Sequence, residues 1–271
     1  MPHAIGPGGA RIFYESQGRG PAVVLIQGLG LSSRFWFDIP ARLAARYRVV
    51  TIDNRGVGRS DRPGGLYRMG TMARDVVAVL DQQGLERAVV VGISLGGMIA
   101  QHVTLRYPGR VRGLVLLAST PGLPHGSLPG VEVLAALVSL PFARPGSSAA
   151  FARLLLPRRH LPRARELFAR WPAALAQDPV SPRIFLAQLA AAAAHSTGWR
   201  LGEIRCPTVV IAGADDVLIP PHNSRVLARR IPRAVLEIVP DVGHALPLLD
   251  EVVVERALAR LAQLTAGAGT A

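Results

Sequence analysis

The sequence predicts an α/β protein: a mostly parallel sheet of about eight strands, helices on both faces, and a helical insertion interrupting the strands. Three observations lead there. Short apolar, β-branched runs alternate with longer segments of helical period. Most of these runs read as buried, as parallel strands covered by helices do. Between about Thr120 and Thr197 the strand rhythm stops, the composition shifts to Ala, Leu, Pro and Arg, and the strands then resume.

In chain order, strands are expected at Arg11 to Glu15, Ala22 to Gln27, Val49 to Asp53, Ala88 to Gly92, Leu114 to Ala118, Thr208 to Ala212 and Val235 to Val239. Helices are expected at Thr71 to Gln83, where Met72, Val76, Val79 and Leu80 share one face, and at Leu95 to Tyr107, Asn223 to Arg230 and Val252 to Leu264. A small-residue tail follows the last helix and is expected to fray. Pro121, Pro124 and Pro129 mark the start of the insertion. Its helix candidates are Val131 to Leu140, Ser147 to Leu156, Pro162 to Trp171 and Pro182 to Ala194, the last two opening on a Pro that suits a first helical position. The chain therefore divides into 1–120 and 199–271 as the two parts of a core, with 121–198 as a cap.

With 271 residues, 49% of them hydrophobic and 18% charged, the chain can bury a substantial core and is neither disordered nor fibrous. Its 31 basic residues are all Arg, which excludes a P-loop and lysine Schiff-base chemistry, pyridoxal phosphate included. The wholesale use of Arg is most simply a codon bias. The net charge of +13 is spread over residues 1–198, without a basic run interleaved with aromatics, and aromatics make up only 5% of the chain. Nucleic-acid binding is therefore not expected. A single cysteine, Cys206, excludes intrachain disulfides and multi-cysteine metal sites, fits a cytoplasmic, reducing setting, and is expected to be packed and inert. No secretory signal and no transmembrane stretch are apparent, and no two His stand at metal-ligand spacing.

The strongest chemical signal is Gly92-Ile93-Ser94-Leu95-Gly96-Gly97, where the buried run Val89, Val90, Val91 passes into a helix. A Ser on a sharp strand-to-helix turn is lifted clear of the sheet, small neighbours let the chain bend, and the helix N-terminus faces developing negative charge. A nucleophilic Ser needs a base. Of seven His, His244 is best placed, in the loop Pro240-Asp241-Val242-Gly243-His244 after the last strand. His3 is terminal, His102 lies on the helix after the Ser, His125, His160 and His195 fall in the insertion, and a surface role suits His222. The base needs a carboxylate to hold its tautomer. Gly213-Ala214-Asp215-Asp216-Val217-Leu218-Ile219-Pro220 offers two, and spacing alone leaves both open. The Ser, Asp, His chain order differs from that of the chymotrypsin-like and subtilisin-like proteases.

On these motifs nearly the whole chain resembles the α/β-hydrolase superfamily. The resemblance implies Asp216 as the acid, with Asp215 a helper or cap. It reads Asp53-Asn54-Arg55-Gly56-Val57-Gly58-Arg59-Ser60-Asp61 as a signature loop that shapes a turn without performing chemistry. It also implies an oxyanion hole made by the backbone N–H groups of Leu95 and Leu29, the latter in Gln27-Gly28-Leu29-Gly30-Leu31, with Gly28 and Gly30 against the substrate. Gln27 stands where the family usually has His. Epoxide hydrolases and haloalkane dehalogenases of this fold carry Asp as nucleophile, so Ser94 points away from them. The chain is similar to cofactor-free bacterial haloperoxidase-type esterases and 3-oxoadipate enol-lactonases, although perhydrolytic members often have Met where Leu95 stands.

The expected activity is hydrolysis of a small to medium apolar carboxylic ester, with no cofactor, no metal, a small molecule as the only expected partner, and a homo-oligomer left open. Phe142, Phe151, Phe168 and Phe185 are candidates to line the pocket, while Arg158 and Arg159 read as solvated surface. A lactone, a thioester or a carbon–carbon bond as the target, or a catalytically silent binding module, are the alternatives.

Overall fold

The computed structural model describes residues 2–142 and 148–266. Its strands are β1 (His3–Ile5), β2 (Arg11–Gln17), β3 (Ala22–Ile26), β4 (Arg48–Ile52), β5 (Ala88–Ile93), β6 (Val111–Leu117), β7 (Thr208–Gly213) and β8 (Ala234–Val239). The helices are α1 (Ile39–Leu43), α2 (Met69–Gln82), α3 (Leu95–Arg106), α4 (Val131–Ser139), α5 (Ser148–Leu155), α6 (Ala164–Leu167), α7 (Trp171–Gln177), α8 (Pro182–Ala193), α9 (His222–Arg230), α10 (Leu246–Leu249) and α11 (Val253–Ala266).

The eight strands form one sheet in the order β1-β2-β4-β3-β5-β6-β7-β8. β1 and β2 pair antiparallel to their neighbours and every other pairing is parallel. Period-two alternation sends successive side chains of each strand to opposite faces. Val24, Ile26 and Val90 pack on one face with Val76 and Leu80 of α2 and with Ile99 and Val103 of α3. Val23, Leu25, Val89 and Val91 pack on the other with Trp36, Ile39 of α1, and Val254, Leu258 and Leu261 of α11.

Between β6 and β7 the helices α4 to α8 stand over the C-terminal ends of the strands. Their own apolar cluster joins Leu154, Leu155 and Leu156 to Phe168, Trp171 and Phe35. The expected helix over 162–171 is not continuous: a 3₁₀ turn (Arg158–Arg163) contains Pro162, α6 lasts four residues, and α7 restarts at Trp171 with Pro172 in its first turn. A proline lacks the N–H that would continue an α-helical ladder, so Pro162 is held in the 3₁₀ turn and Pro172 sits in the first turn of the helix that restarts. α8 begins as expected, Ser181 Oγ accepting from the Ile184 N–H at 3.4 Å ahead of Pro182.

β1 lies outside the expected strands because only Ala4 of its three residues is buried and so short a segment carries no period. Ser147, the expected first residue of α5, and the tail after Ala266 lie outside the described residues. Among the described residues no helix is long and apolar enough to cross a membrane.

Candidate active site

The loops leaving the C-terminal ends of β3, β5, β7 and β8 converge on one cavity of about 1540 Å³, the end of a parallel sheet where ligands bind in such folds. Leu29, Ser94, Leu95 and His244 line it from the sheet side. Phe151, Leu154, Phe168, Trp171, Phe185 and Leu189 line it from the insertion. Of the four phenylalanines expected there, Phe142 is exposed and does not take part.

Ser94 stands between β5 and α3 as the N-cap of α3, with positive φ, 53°, and ψ −118°. A non-glycine residue there is strained and persists only where its surroundings hold it. They do. A Cβ on Gly92 would stand 2.2 Å from the Gly96 carbonyl oxygen, and one on Gly96 would stand 2.1 Å from the Ile26 carbonyl oxygen. The two glycines thus let β5, the turn and α3 close on each other and on β3. The Ser94 N–H donates to the Leu117 carbonyl at 2.9 Å and Ser119 Oγ donates to the Ser94 carbonyl at 3.0 Å.

His244 Nδ1 lies 2.8 Å from Asp216 Oδ2, and both side chains are buried. The other oxygen, Asp216 Oδ1, accepts from the N–H groups of Leu218 (2.9 Å) and Ile219 (2.8 Å), so the carboxylate is fixed at both ends. Asp215, the second candidate, turns outward to Arg159 Nη2 at 2.7 Å. Arg159 also pairs with Asp241 of the His244 loop and so bridges the acid loop, the His loop and the insertion. Gly243 has no room for a side chain, since its Cβ would stand 2.7 Å from the Leu155 carbonyl of the insertion. The left-handed residue of that loop is Asp241, φ 61°.

The loop after β3 shows how Gln27 fits in place of the usual His. Gln27 Oε1 accepts from the next residue's own N–H, Gly28, at 2.9 Å, and its carbonyl is held by Asn54 Nδ2 at 3.0 Å. The Gly30 N–H donates to Gln188 Oε1 of α8 at 2.9 Å. The amides on both sides of Leu29 are therefore taken, and among the described residues the Leu29 N–H between them has no protein acceptor. Gly28 and Gly30 also line the cavity, their amides already bonded to Gln27 and Gln188. The Leu95 N–H is the first of α3, one of the unpaired donors every helix start presents.

Two histidines set aside in the sequence form a pair, His195 buried and His102 half-buried. His195 Nδ1 lies 3.3 Å from His102 Nε2, and His195 Nε2 lies 3.0 Å from the Thr120 carbonyl. Burial pushes His102 down to about 4 and His195 to about 3, so both are neutral at pH 7. Burial pushes the Cys206 thiol up to about 11, leaving it protonated. Among the described residues no three His, Cys, Asp or Glu side chains cluster as metal ligands.

A strained serine at a helix start, an imidazole fixed by a carboxylate and a free amide in the wall of the same cavity can together activate a hydroxyl and receive an oxyanion. The family model for the alpha/beta hydrolase fold matches residues 21–251. The chain belongs to this α/β-hydrolase family. It is 33% identical over 248 residues, 90% of this chain and 92% of the other, to an Azorhizobium caulinodans protein bearing the provisional name carbamate hydrolase RutD. It is 33% identical over 236 residues, 85% of this chain and 89% of the other, to a Mycobacterium tuberculosis protein bearing the provisional name non-heme bromoperoxidase BpoC. Among solved structures it is similar to Est816, described as an N-acyl homoserine lactone degrading enzyme, at 32% identity and TM-score 0.80 over 95% of this chain and 99% of that one.

Proposed function

We propose that the protein is a serine hydrolase that cleaves a carboxylic ester through an acyl-enzyme. Ser94 is the nucleophile, His244 the base, Asp216 the group that orients His244, and the Leu29 and Leu95 amides are the oxyanion donors. The observation that carries this reading is the 2.8 Å His244–Asp216 bond in the same cavity as the strained Ser94.

In this reading His244 Nε2 takes the Ser94 hydroxyl proton as Oγ attacks the carbonyl carbon, and the carbonyl oxygen becomes an oxyanion between the two amides. Collapse expels the alcohol, which receives the proton from His244. A water, deprotonated by His244, then attacks the acyl carbon, and the acid leaves as Ser94 regains its proton. Asp216 stays ionised throughout and stabilises the imidazolium. The scheme uses no cofactor or metal.

Residues 121–198 act as the cap in this proposal and supply the apolar walls. The cavity exceeds the roughly 300–1,000 Å³ of ordinary small-molecule sites, which extends the small to medium apolar ester expected from the sequence toward medium and large acyl groups. A lactone is the second reading, favoured by the similarity to Est816, and would use the same steps with the leaving alcohol still tethered. A reducing, cytoplasmic setting accords with the single cysteine.

Labelling with a fluorophosphonate probe followed by peptide mass spectrometry tests the proposal. The adduct is expected on the peptide carrying Ser94, absent from Ser94→Ala and suppressed by a competing ester. Folded wild type that takes up no probe would overturn it.

A further inference from the structure

We infer that Gln188, on helix α8 of the insertion, is a positioning residue that sets the oxyanion-loop amide of Leu29, so that the cap takes part in the chemistry and not only in substrate binding. The inference rests on the serine-hydrolase reading above.

Gln188 is fully buried and uses both ends of its amide. Oε1 accepts from the Gly30 N–H at 2.9 Å, and Nε2 donates to the Arg55 carbonyl at 3.0 Å. One side chain thus ties three segments far apart in sequence: the loop after β3, the signature loop after β4, and the insertion. Arg55 is itself fixed, its buried guanidinium donating to both oxygens of Asp75, with Nε to Oδ2 at 2.6 Å. The tether therefore ends on a rigid anchor instead of on a mobile surface.

The peptide plane that carries the Leu29 N–H lies between Gly28 and Leu29, and the next plane carries the Gly30 N–H. Gln27 Oε1 holds the Gly28 N–H and Gln188 Oε1 holds the Gly30 N–H. Fixing the planes on both sides leaves the Leu29 N–H few directions in which to point. Gly30 adopts φ +70°, and a Cβ there would stand 3.0 Å from the Phe185 ring of the same helix, so α8 also limits the loop sterically. The side chain chosen for this job is an amide in an otherwise apolar helix face: Ile184, Phe185 and Ala191 are its buried neighbours on α8. A buried amide with both ends satisfied specifies one geometry, whereas an apolar side chain of the same volume would leave the Gly30 N–H and the Arg55 carbonyl unpaired.

The test compares wild type with Gln188→Met, which keeps length and removes both bonds, and Gln188→Asn, which keeps the amide but shortens its reach. A positioning role lowers kcat by about ten- to a hundred-fold in the Met variant, short of the 10²–10³ that outright loss of an oxyanion donor costs. The Asn variant is expected to fall between Met and wild type, with KM within about three-fold in both, the mark of an interaction made in the transition state. Affinity for a trifluoromethyl ketone, which forms the tetrahedral adduct, should fall in step with kcat, while affinity for the product acid should not. Amide exchange in the wild type supplies a readout that needs no folded variant: the Gly30 N–H should be strongly protected.

The inference is overturned if both variants keep kcat within about three-fold, if the loss falls on KM alone, or if the Gly30 N–H exchanges freely. Failure of the underlying reading looks different, because wild type would then show no Ser94-dependent hydrolysis at all.

Discussion

The two walls of the cavity are built on different principles. On the sheet side, Ser94, His244 and Asp216 are fixed by backbone: strand ends, carbonyls pressed against Cα atoms, and main-chain N–H groups on the carboxylate. On the insertion side the wall is apolar side chains packed on one another, tied to the core through side-chain links such as Gln188 to the Gly30 N–H, Asp178 to Ser32 and Arg34, and Arg159 to Asp215. The difference shows where precision is stored. The groups proposed to act on the substrate sit where main-chain packing leaves no room for an added methyl group. Groups that shape the pocket sit where side chains can repack.

The sharpest way to break this contrast is at the neighbouring acids. Asp216→Asn should lower kcat by roughly 10⁴, as loss of the tautomer-fixing carboxylate does in serine hydrolases. Asp215→Asn should leave it within about three-fold, since its partner Arg159 is half exposed. Equal effects in ester kinetics would contradict the orientation assigned to the pair.

Next in size is the tolerance of each wall for a methyl group. Gly96→Ala places a Cβ 2.1 Å from the Ile26 carbonyl and should cost more than about 2 kcal/mol in urea unfolding. Gly130→Ala, ahead of α4 with open space around it and φ −57°, should stay within about 0.5–1 kcal/mol.

The buried His195, paired with His102, tests the seam between the walls. His195 has a folded-state pKa of about 3, below its unfolded value, so its contribution is fully present above about pH 6.5. It is lost as pH falls toward the folded value, because the unfolded chain binds the proton first. From pH 7 to 5 wild type should lose about 1–2 kcal/mol more than His195→Gln does. Parallel urea midpoints for the two proteins would contradict a buried neutral histidine.

The smallest effect is expected at the surface tie. Arg159→Gln removes the pairs with Asp215 and Asp241, whose side chains are exposed enough for solvent to screen, and should change stability by less than about 1 kcal/mol. A larger loss, or one insensitive to salt, would mean that the exposed tie carries more than its exposure allows.

The sheet side was also the more legible in sequence. Runs such as Val89, Val90 and Val91 announce a buried strand, and a Gly-rich turn into α3 announces the Ser94 elbow, because both depend on neighbours in the chain. β1 and α1 were not legible, three and five residues being too few to show a period. The expected helix over 162–171 failed for a related reason: Pro162 falls inside a 3₁₀ turn, and the α-helix restarts at Trp171 beside Pro172. Gln188 gave no local signal whatever, since its partners lie 158 and 133 residues away. The choice between Asp215 and Asp216 needed resemblance in the sequence and is a matter of direction in the structure, one facing His244 and the other Arg159.

The most direct measurement is hydrolysis of p-nitrophenyl esters of increasing acyl length by wild type and by Ser94→Ala. The account predicts turnover by wild type, with an optimum at medium or long acyl chains, and its abolition by the substitution. Activity that survives in Ser94→Ala, or wild type inert on every ester and lactone tried, would contradict it.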